Sequence, residues 1–253
     1  MIISRFRRTR CFFAPLLGLI LASGAIAGPP AAYDEFDYES LTIGQFKEYA
    51  PANAIIDFSR VDYGLLHAAI FFETNRMRRL YELKELRHWT ALEKAAFRHS
   101  QDMVEQGFYS HIHPTDEKKQ FPAQRIFLAG APLGSTAENI ASTFGIRYRS
   151  GEHVRPPRER TEPFVDPATN APIPPHTYNS LAESVVGGWM TSPQHRENIL
   201  HKNFHFMGCG AYFYRDEQFH GMPLFRVTQT FWGPPHIRNQ EIRRPADIQS
   251  GRF

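Results

Sequence analysis

A change in hydrophobic period along the chain is the feature that most limits its possible folds. Two apolar, aromatic-rich stretches, 206–214 and 225–232, are separated by a polar segment that contains Gly221. Short apolar runs on either side of such a turn are typical of two antiparallel strands in one hairpin. The segments that precede them repeat their apolar residues at helical spacing instead. Helices followed by strands within one chain predict an α+β domain.

Helical spacing is clearest in two early segments, 61–82 and 90–106, the second of which Gly107 is expected to end. Thr90 and Glu93 have the spacing of a capping box, which predicts that the second helix has Thr90 as its N-cap. Shorter helices are predicted from Phe121-Pro122 to about Gly130, over 181–190, and from Pro193 with Ser192 as N-cap. Residues 138–144 fit either a strand or a short helical turn.

The first 27 residues have the pattern of an export signal. Four arginines accompany an apolar run over 11–21, and Ala25-Ile26-Ala27 offers the small residues that a signal peptidase reads. The apolar run is shorter than the roughly 20 residues that a membrane-spanning helix needs. We therefore predict cleavage after Ala27, export to the periplasm or the medium, and no stable membrane span in the mature chain. An uncleaved N-terminal anchor is the alternative.

Loss of this segment changes the charge and the cysteine count. It removes four arginines and no acid, so the formal net charge goes from +3 to −1. The positive charge of the full chain is therefore no argument for nucleic-acid binding, and we expect none. Cys11 leaves with the segment, and Cys209 remains alone in an apolar strand pattern. We expect Cys209 to be buried and without an intramolecular disulfide.

The remaining 226 residues suffice for one domain with extensions. We predict an N-terminal extension over 28–60, one domain over 61–236 and a C-terminal tail over 237–253, with the polar stretches 28–40 and 237–253 loosely held. Residues 147–177 are rich in proline and charge and lack periodicity, which predicts a long surface insertion. We expect the insertion to lie near the cleft proposed below, where the roles of a lid, a partner-binding arm and filler remain open.

Several short motifs carry polar side chains between these elements. They are Gly107-Phe108-x-Ser110-His111, Ala137-Glu138-Asn139-Ile140, Trp189-x-x-Ser192-Pro193-x-His195-Arg196-x-Asn198, Met207-Gly208-x-Gly210 and Thr228-Gln229-x-Phe231. If the fold brings the first three together, two imidazoles and one carboxylate share a cleft. Such a set suits Zn²⁺ or another divalent ion with an open position for water, and it also suits acid–base chemistry.

The order and spacing of these motifs resemble the CAP superfamily of cysteine-rich secretory proteins, antigen 5 and pathogenesis-related proteins, and most of all its shorter bacterial exported members. The resemblance covers about 61–233 and begins with Asn75 and Arg78 in the first helix. It implies a three-layer α-β-α sandwich with a mainly antiparallel central sheet and a cleft at one end. In many eukaryotic members that cleft holds two histidines and two glutamates.

Carried over by motif, His111 is the first histidine of that set and Glu138 the first glutamate. Ser192 stands at the position of the second glutamate, and Arg226 at the position of the second histidine. His195 belongs to the Ser-Pro-x-His-Arg motif of the bacterial members, one helical turn after Ser192. Half of the eukaryotic set is therefore missing, which weakens any mechanism that requires two carboxylates.

The predicted cleft residues are His111, Glu138, Ser192, His195, Asn198 and Gln229, and the candidate metal ligands among them are His111, His195 and Glu138. A structural role is the alternative. In that case Glu138 is a buried hydrogen-bond partner, and His195 bridges backbone groups at the start of its helix. Ser192 precedes a proline, which favours capping over the role of a nucleophile.

The resemblance favours a binding module over an enzyme. Its expected ligand is a small apolar molecule, a lipid, a glycan, an envelope-derived compound or a protein partner. A metal-dependent hydrolase that acts on peptide or cell-envelope polymer is the alternative function. An interaction protein that uses the insertion for its contacts is the third.

Overall fold

The computed structural model describes residues 33–159 and 162–235. The predicted signal segment 1–27 and the tail 237–253 lie outside the described residues. The helices are α1 (Ile43–Glu48), α2 (Tyr63–Leu80), α3 (Thr90–Glu105), α4 (Pro122–Leu128), α5 (Tyr178–Thr191) and α6 (Pro193–Leu200), and the strands are β1 (Arg87–His88), β2 (Ser135–Phe144), β3 (Phe206–Asp216) and β4 (Met222–Gly233). Within the described part of the chain, no helix has the length and apolar character to cross a membrane.

The four strands form one sheet in the order β1-β3-β4-β2. β4 pairs antiparallel with both β3 and β2, and the two-residue β1 pairs parallel with β3. The sheet is therefore mixed and mainly antiparallel, as predicted. The predicted hairpin is confirmed as β3–β4, and its turn contains Gly221 with φ of 73°.

Helices cover both faces of the sheet. The alternate residues Met207, Cys209 and Ala211 of β3 are buried against the helix layer that contains α2 and α5. The residues between them face α3, which packs on β3 and β4. Because strand side chains alternate between faces, each strand contributes to both cores. The α+β class and the three-layer arrangement are confirmed, and Cys209 is buried and free as expected.

Two glycines of β3 allow α3 to approach the sheet closely. A Cβ at Gly208 would lie 2.1 Å from the backbone nitrogen of Glu93, and a Cβ at Gly210 would lie 2.1 Å from that of Phe97. Thr230 Oγ1 also donates to the carbonyl of Leu92 at 3.0 Å. The Gly-x-Gly motif is thus explained by helix–sheet contact.

We expect Gly208→Ala to lower the free energy of unfolding by about 1–3 kcal/mol, because α3 must move to admit the methyl group. Gly188→Ala in α5 is the matched control, since nothing lies within 4 Å of its added Cβ. The control should gain up to about 1 kcal/mol from helix propensity. Urea denaturation of both variants measures the difference, and equal stabilities would contradict the close contact.

Side chains cover exposed edges of the sheet. On β2, Trp189 Nε1 donates to the carbonyl of Ile140 at 3.1 Å, and Asn198 Nδ2 donates to the carbonyl of Glu138 at 3.4 Å. On β3, the backbone N–H of Ala211 donates to His67 Nε2 at 3.0 Å. Satisfied edge groups reduce the tendency of a strand to pair with another chain.

The segment before α2 is packed more tightly than its polar sequence predicts. Phe46 of α1 is 1% exposed. The ring of Tyr38 stacks on His88 with 3.6 Å between ring centroids, and its hydroxyl donates to Glu93. The expectation that 28–40 is loosely held is therefore wrong for the described residues from 33 onward. Its aromatic residues pack against rings of distant segments, as Phe36 does with Phe46 and Phe72, and such contacts leave no periodic signal in the sequence.

The insertion builds a small core of its own. Phe164 is buried together with Ile146, Met222 and Leu224, so the insertion packs against the β3–β4 turn region. The insertion follows the end of β2 at Phe144. Phe144 lies six residues along the strand from Glu138, which corresponds to about 20 Å. The expectation that the insertion lies near Glu138 is therefore not met.

Helix ends follow the sequence signals with one exception. α3 ends at Gly107, which has φ of 68°, and the N–H of Phe108 bonds to the carbonyl of Met103 as in a Schellman motif. The predicted capping box is wrong, because the N-cap of α3 is Trp89 and makes no side-chain cap bond. Glu93 is instead buried and accepts hydrogen bonds from other elements.

Candidate functional site

Glu138 is the centre of the predicted site. Its side chain projects from β2 and is buried. Arg125 of α4 contacts both carboxylate oxygens through Nη2, at 2.9 and 2.7 Å. His111 lies 2.9 Å from the same carboxylate through Nδ1. The structure therefore joins His111 and Glu138, as predicted, and adds a buried guanidinium.

Arg125 also fixes the loop that carries His111. Its Nη2 donates to the carbonyl of His111 at 3.1 Å, and its Nη1 donates to the carbonyls of Lys119 and Gln120. Arg125 is only 5% exposed. The side chain of Arg125 thus positions the loop that carries His111 and neutralises the carboxylate of Glu138.

Glu138 is ionised at neutral pH. Burial by itself disfavours the charged form, but the hydrogen bond from His111 and the charge of Arg125 outweigh it and lower the pKa of Glu138. An ionised carboxylate can only accept hydrogen bonds, so His111 must carry its proton on Nδ1. Nε2 of His111 lies on the other side of the ring, in a side chain that is 45% exposed.

His99 lies beneath the same carboxylate. Its Nε2 donates to the carbonyl of Ser110 at 3.0 Å and lies 3.8 Å from Glu138 Oε1. Burial, assisted by the charge of Arg125, lowers the pKa of His99 to about 4. His99 is therefore neutral at physiological pH and supports the loop from within.

His195 approaches the site from the other helix layer. It lies in α6, and its backbone carbonyl accepts from Asn139 Nδ2 at 3.2 Å. Burial and the charge of His111 together lower the pKa of His195. His195 thus lies within electrostatic range of His111. The helix that carries His195, α6, packs on the edge strand β2, and the side chain of His111 contacts Glu138 of the same strand.

Two other predicted cleft residues belong to a buried polar chain. Asn198 Nδ2 donates to Asn139 Oδ1 at 2.8 Å, Asn139 Nδ2 donates to Gln229 Oε1 at 3.2 Å, and Gln229 Nε2 donates to Thr74 Oγ1 at 2.8 Å. Gln229 is fully buried, so its predicted place on the cleft floor is wrong. The chain of amides ties α6, β2, β4 and α2 together, and holds His195 at the edge.

Ser192 occupies the junction between α5 and α6. It is the N-cap of α6 in backbone conformation, but its side chain makes no capping bond. Its backbone N–H bonds to Trp189, and its carbonyl accepts from Arg196. Pro193 at the first helical position starts α6 as predicted. The structure therefore supports a role for Ser192 in the turn between the helices.

The donor set does not fit the three-ligand metal site expected from the sequence. Among residues 33–159 and 162–235, no three His, Cys, Asp or Glu side chains are grouped to hold an ion. Both oxygens of Glu138 face Arg125, and a cation bound there would have to displace the guanidinium. Of the histidines described at this edge, His111 is exposed and His195 is half-buried, whereas His99 is buried.

Comparisons with known proteins agree with the motif pattern. Residues 71–231 match the profile of the cysteine-rich secretory protein family, CAP. A curated relative, the uncharacterized protein YkwD of Bacillus subtilis (strain 168), is 30% identical over 138 residues, which are 54% of this chain and 38% of the relative. This chain thus matches well under half of that relative's length.

Solved structures give weaker similarities. An extracellular protein containing an SCP domain from Bacillus anthracis str. Ames is 21% identical with a TM-score of 0.47, and the match covers 68% of this chain and 42% of that one. An outer surface protein from Borrelia burgdorferi is 18% identical with a TM-score of 0.41, covering 65% of this chain and 90% of that one.

Proposed function

This chain belongs to the cysteine-rich secretory protein family, CAP, and from that premise we propose that it is an exported binding module whose ligand sits on the β2 edge over His111 and His195. One observation carries the proposal. The carboxylate of Glu138 is fully engaged by Arg125 and His111, while the His111 side chain is exposed and that of His195 is half-buried. Such an arrangement presents hydrogen-bonding groups to a ligand and keeps no free carboxylate for turnover.

Export rests on the sequence of residues 1–27, whose basic, apolar and small-residue regions have the order of a cleaved signal. The site offers the ligand ring nitrogens together with half-exposed apolar neighbours, since Tyr109 is 49% and Ile112 is 48% exposed. An amphiphilic or glycan compound of the cell envelope matches this mixture. A protein partner at the same edge is the other ligand class that the mixture allows.

A divalent ion enters this proposal only through the imidazoles. His111 and His195 would hold Zn²⁺, and Glu138 would orient His111 from behind, as carboxylates commonly do for metal-bound histidines. Two protein ligands are fewer than the three or four of established zinc sites, so we expect weak binding.

The test is the small-molecule and metal content of the purified mature protein. We expect mass spectrometry to detect a co-purified ligand in the wild type that His111→Ala/His195→Ala loses, because both rings contact it. His205→Ala is the matched control, since His205 is exposed and lies at the β1 side of the sheet. The control should retain the ligand, and all three proteins should unfold at similar temperatures.

Two results would contradict the proposal. The double variant could retain the same ligand as the wild type, which would remove the edge as the binding site. Alternatively, the wild type could hydrolyse peptide or envelope polymer with a metal ion that the double variant loses, which would favour the hydrolase. The second result would also require Arg125 to leave Glu138, and a structure of the metal-loaded protein would reveal that movement.

A further inference from the structure

Arg226 lies on the same face of the sheet as Glu138. In the sheet register, Arg226 of β4 pairs with Ser142 of β2, and Thr230 of β4 pairs with Glu138. Directly paired residues project from the same face, so Arg226 and Glu138 face the same side. Four residues along a strand separate them by about 13 Å. Arg226 therefore marks the far end of a surface that begins at the His111–Glu138 site.

Two aromatic rings hold the guanidinium of Arg226. Its Cζ lies 4.6 Å from the ring centroid of Tyr109 and 5.2 Å from that of Tyr214. Tyr109 is only two residues before His111, so one loop lines both ends of the surface. Stacking on rings restricts the long side chain while its N–H groups, which lie in the guanidinium plane, stay available for other partners.

Among the described residues, no carboxylate pairs with the guanidinium of Arg226. By contrast, Arg125 is paired with Glu138, and Arg76 of α2 is paired with Glu73. The side chain of Arg226 is half-buried, and its Nε is buried without a hydrogen-bond partner. An oxyanion that reaches the outer N–H groups of the guanidinium would supply the counter-charge that this cation lacks.

We propose that Arg226 is the anion-recognition residue of the binding surface, and that the ligand carries an oxyanion, a carboxylate or a phosphate, at this end. The inference rests on the proposed function and specifies its ligand class. The planar guanidinium matches both oxyanions in a two-point contact. A ligand that reaches from Arg226 to the Glu138 end of the surface spans about 13 Å, which is the length of a few sugar or amino-acid residues.

The departure from the family pattern has the same consequence. The resemblance places the second histidine of the eukaryotic set at this position, and an imidazole can bind a metal ion. A guanidinium remains charged at all physiological pH values and repels cations. Arg125 neutralises Glu138 at the other end, so that carboxylate does not balance the charge of Arg226. This chain thus has an arginine, which suits an anion, at one of the four positions of that set.

The direct test is NMR titration of the ¹⁵N-labelled mature protein, with sodium acetate and sodium phosphate added separately at constant ionic strength. We expect a saturable shift of the Arg226 Nε–H resonance with at least one of the two anions. Saturation by acetate alone identifies a carboxylate, and saturation by phosphate alone identifies a phosphate. Arg87 is the internal control, because its guanidinium also lies over a ring, that of Phe206, at 4.3 Å.

Substitutions distinguish specific anion binding by the Arg226 guanidinium from a general effect of positive charge. Arg226→Gln should abolish the saturable shifts of the neighbouring Tyr109 and Tyr214 amides, and Arg226→Lys should weaken binding several-fold, since an ammonium keeps the charge but loses the planar fork. Arg87→Gln should bind like the wild type. Far-UV circular dichroism checks that each variant is folded. The lysine variant tests the inference even if the glutamine variant does not fold.

Two outcomes would overturn the inference: shifts at Arg226 that do not exceed those at Arg87, or unchanged binding by the folded Arg226 variants. The co-purified ligand distinguishes this failure from failure of the proposed function. A ligand that perturbs His111 and His195 but not Arg226 removes only the anion site. A ligand that perturbs none of these three residues removes both proposals.

Discussion

Glu138→Ala is expected to lower the free energy of unfolding by about 3–5 kcal/mol, the usual cost of removing one partner from a buried ion pair. The substitution leaves the guanidinium of Arg125 buried without a counter-ion and removes the acceptor of His111. The loop carbonyls that Arg125 holds would then lose their fixed donor as well. Loss of so much of a domain's stability amounts to partial unfolding at physiological temperature.

Urea denaturation of Glu138→Ala, Arg125→Met and the double variant measures this coupling. We expect the double variant to be more stable than the sum of the single losses predicts, because removing both charges leaves none unpaired. Glu183→Ala is the matched control, since Glu183 pairs with Lys47 on the surface and should cost less than about 1 kcal/mol. A Glu138→Ala protein as stable as this control would contradict the buried pair.

The residues of the sequence motifs turn out to serve the architecture as much as the surface site. Trp189 and Asn198 cover the edge of β2, and Asn139 and Gln229 link the layers through amide hydrogen bonds. These contacts explain why polar residues occur at fixed spacing near His195. They also explain why a motif-based site prediction included Gln229, which the structure buries. A sequence motif alone does not distinguish residues that stabilise the fold from residues that form the surface site.

Periodicity predicted the architecture well, because helix faces and strand alternation are local properties. The helices at 63–80 and 90–105 and the β3–β4 hairpin lie where the apolar spacing placed them. Even His99 had a usable signal: it lies four residues after Ala95 and four before Met103, on the buried stripe of its helix. A histidine on an apolar stripe predicts a buried polar contact, although not with which partner.

The partners of Glu138 and Glu93 could not be predicted in the same way. Arg125 reaches Glu138 across 13 residues, and Tyr38 reaches Glu93 across 55 residues. Such contacts depend on how the loops close, which no local pattern encodes. The capping-box interpretation of Glu93 was wrong for this reason. The spacing of Glu93 from Thr90 is correct, but its carboxylate accepts a hydrogen bond from Tyr38 of the N-terminal segment instead.

Glu93→Gln is expected to lower the free energy of unfolding by about 3 kcal/mol or more, because the buried carboxylate accepts from three donors. Tyr38 donates its hydroxyl, His88 lies 2.7 Å away through Nε2, and His67 lies 3.4 Å away through Nδ1. His67 Nε2 accepts from the backbone N–H of Ala211, so the proton of His67 is on Nδ1 and points at Glu93. A glutamine would turn an N–H₂ group toward at least one of these donors.

The stability difference between the wild type and Glu93→Gln should also depend on pH. Burial disfavours the ionised form, but hydrogen bonds from His67 and His88 outweigh it and place the pKa of Glu93 below its ordinary value. A carboxyl group whose folded pKa is depressed contributes stability above its unfolded pKa, about 4.3, and loses it as the pH falls toward the folded value. We therefore expect a constant difference between pH 7 and about 5 and a shrinking one below about 4, measured by urea denaturation. Glu48→Gln at the exposed end of α1 is the control. A difference that grows on acidification would contradict this account of Glu93.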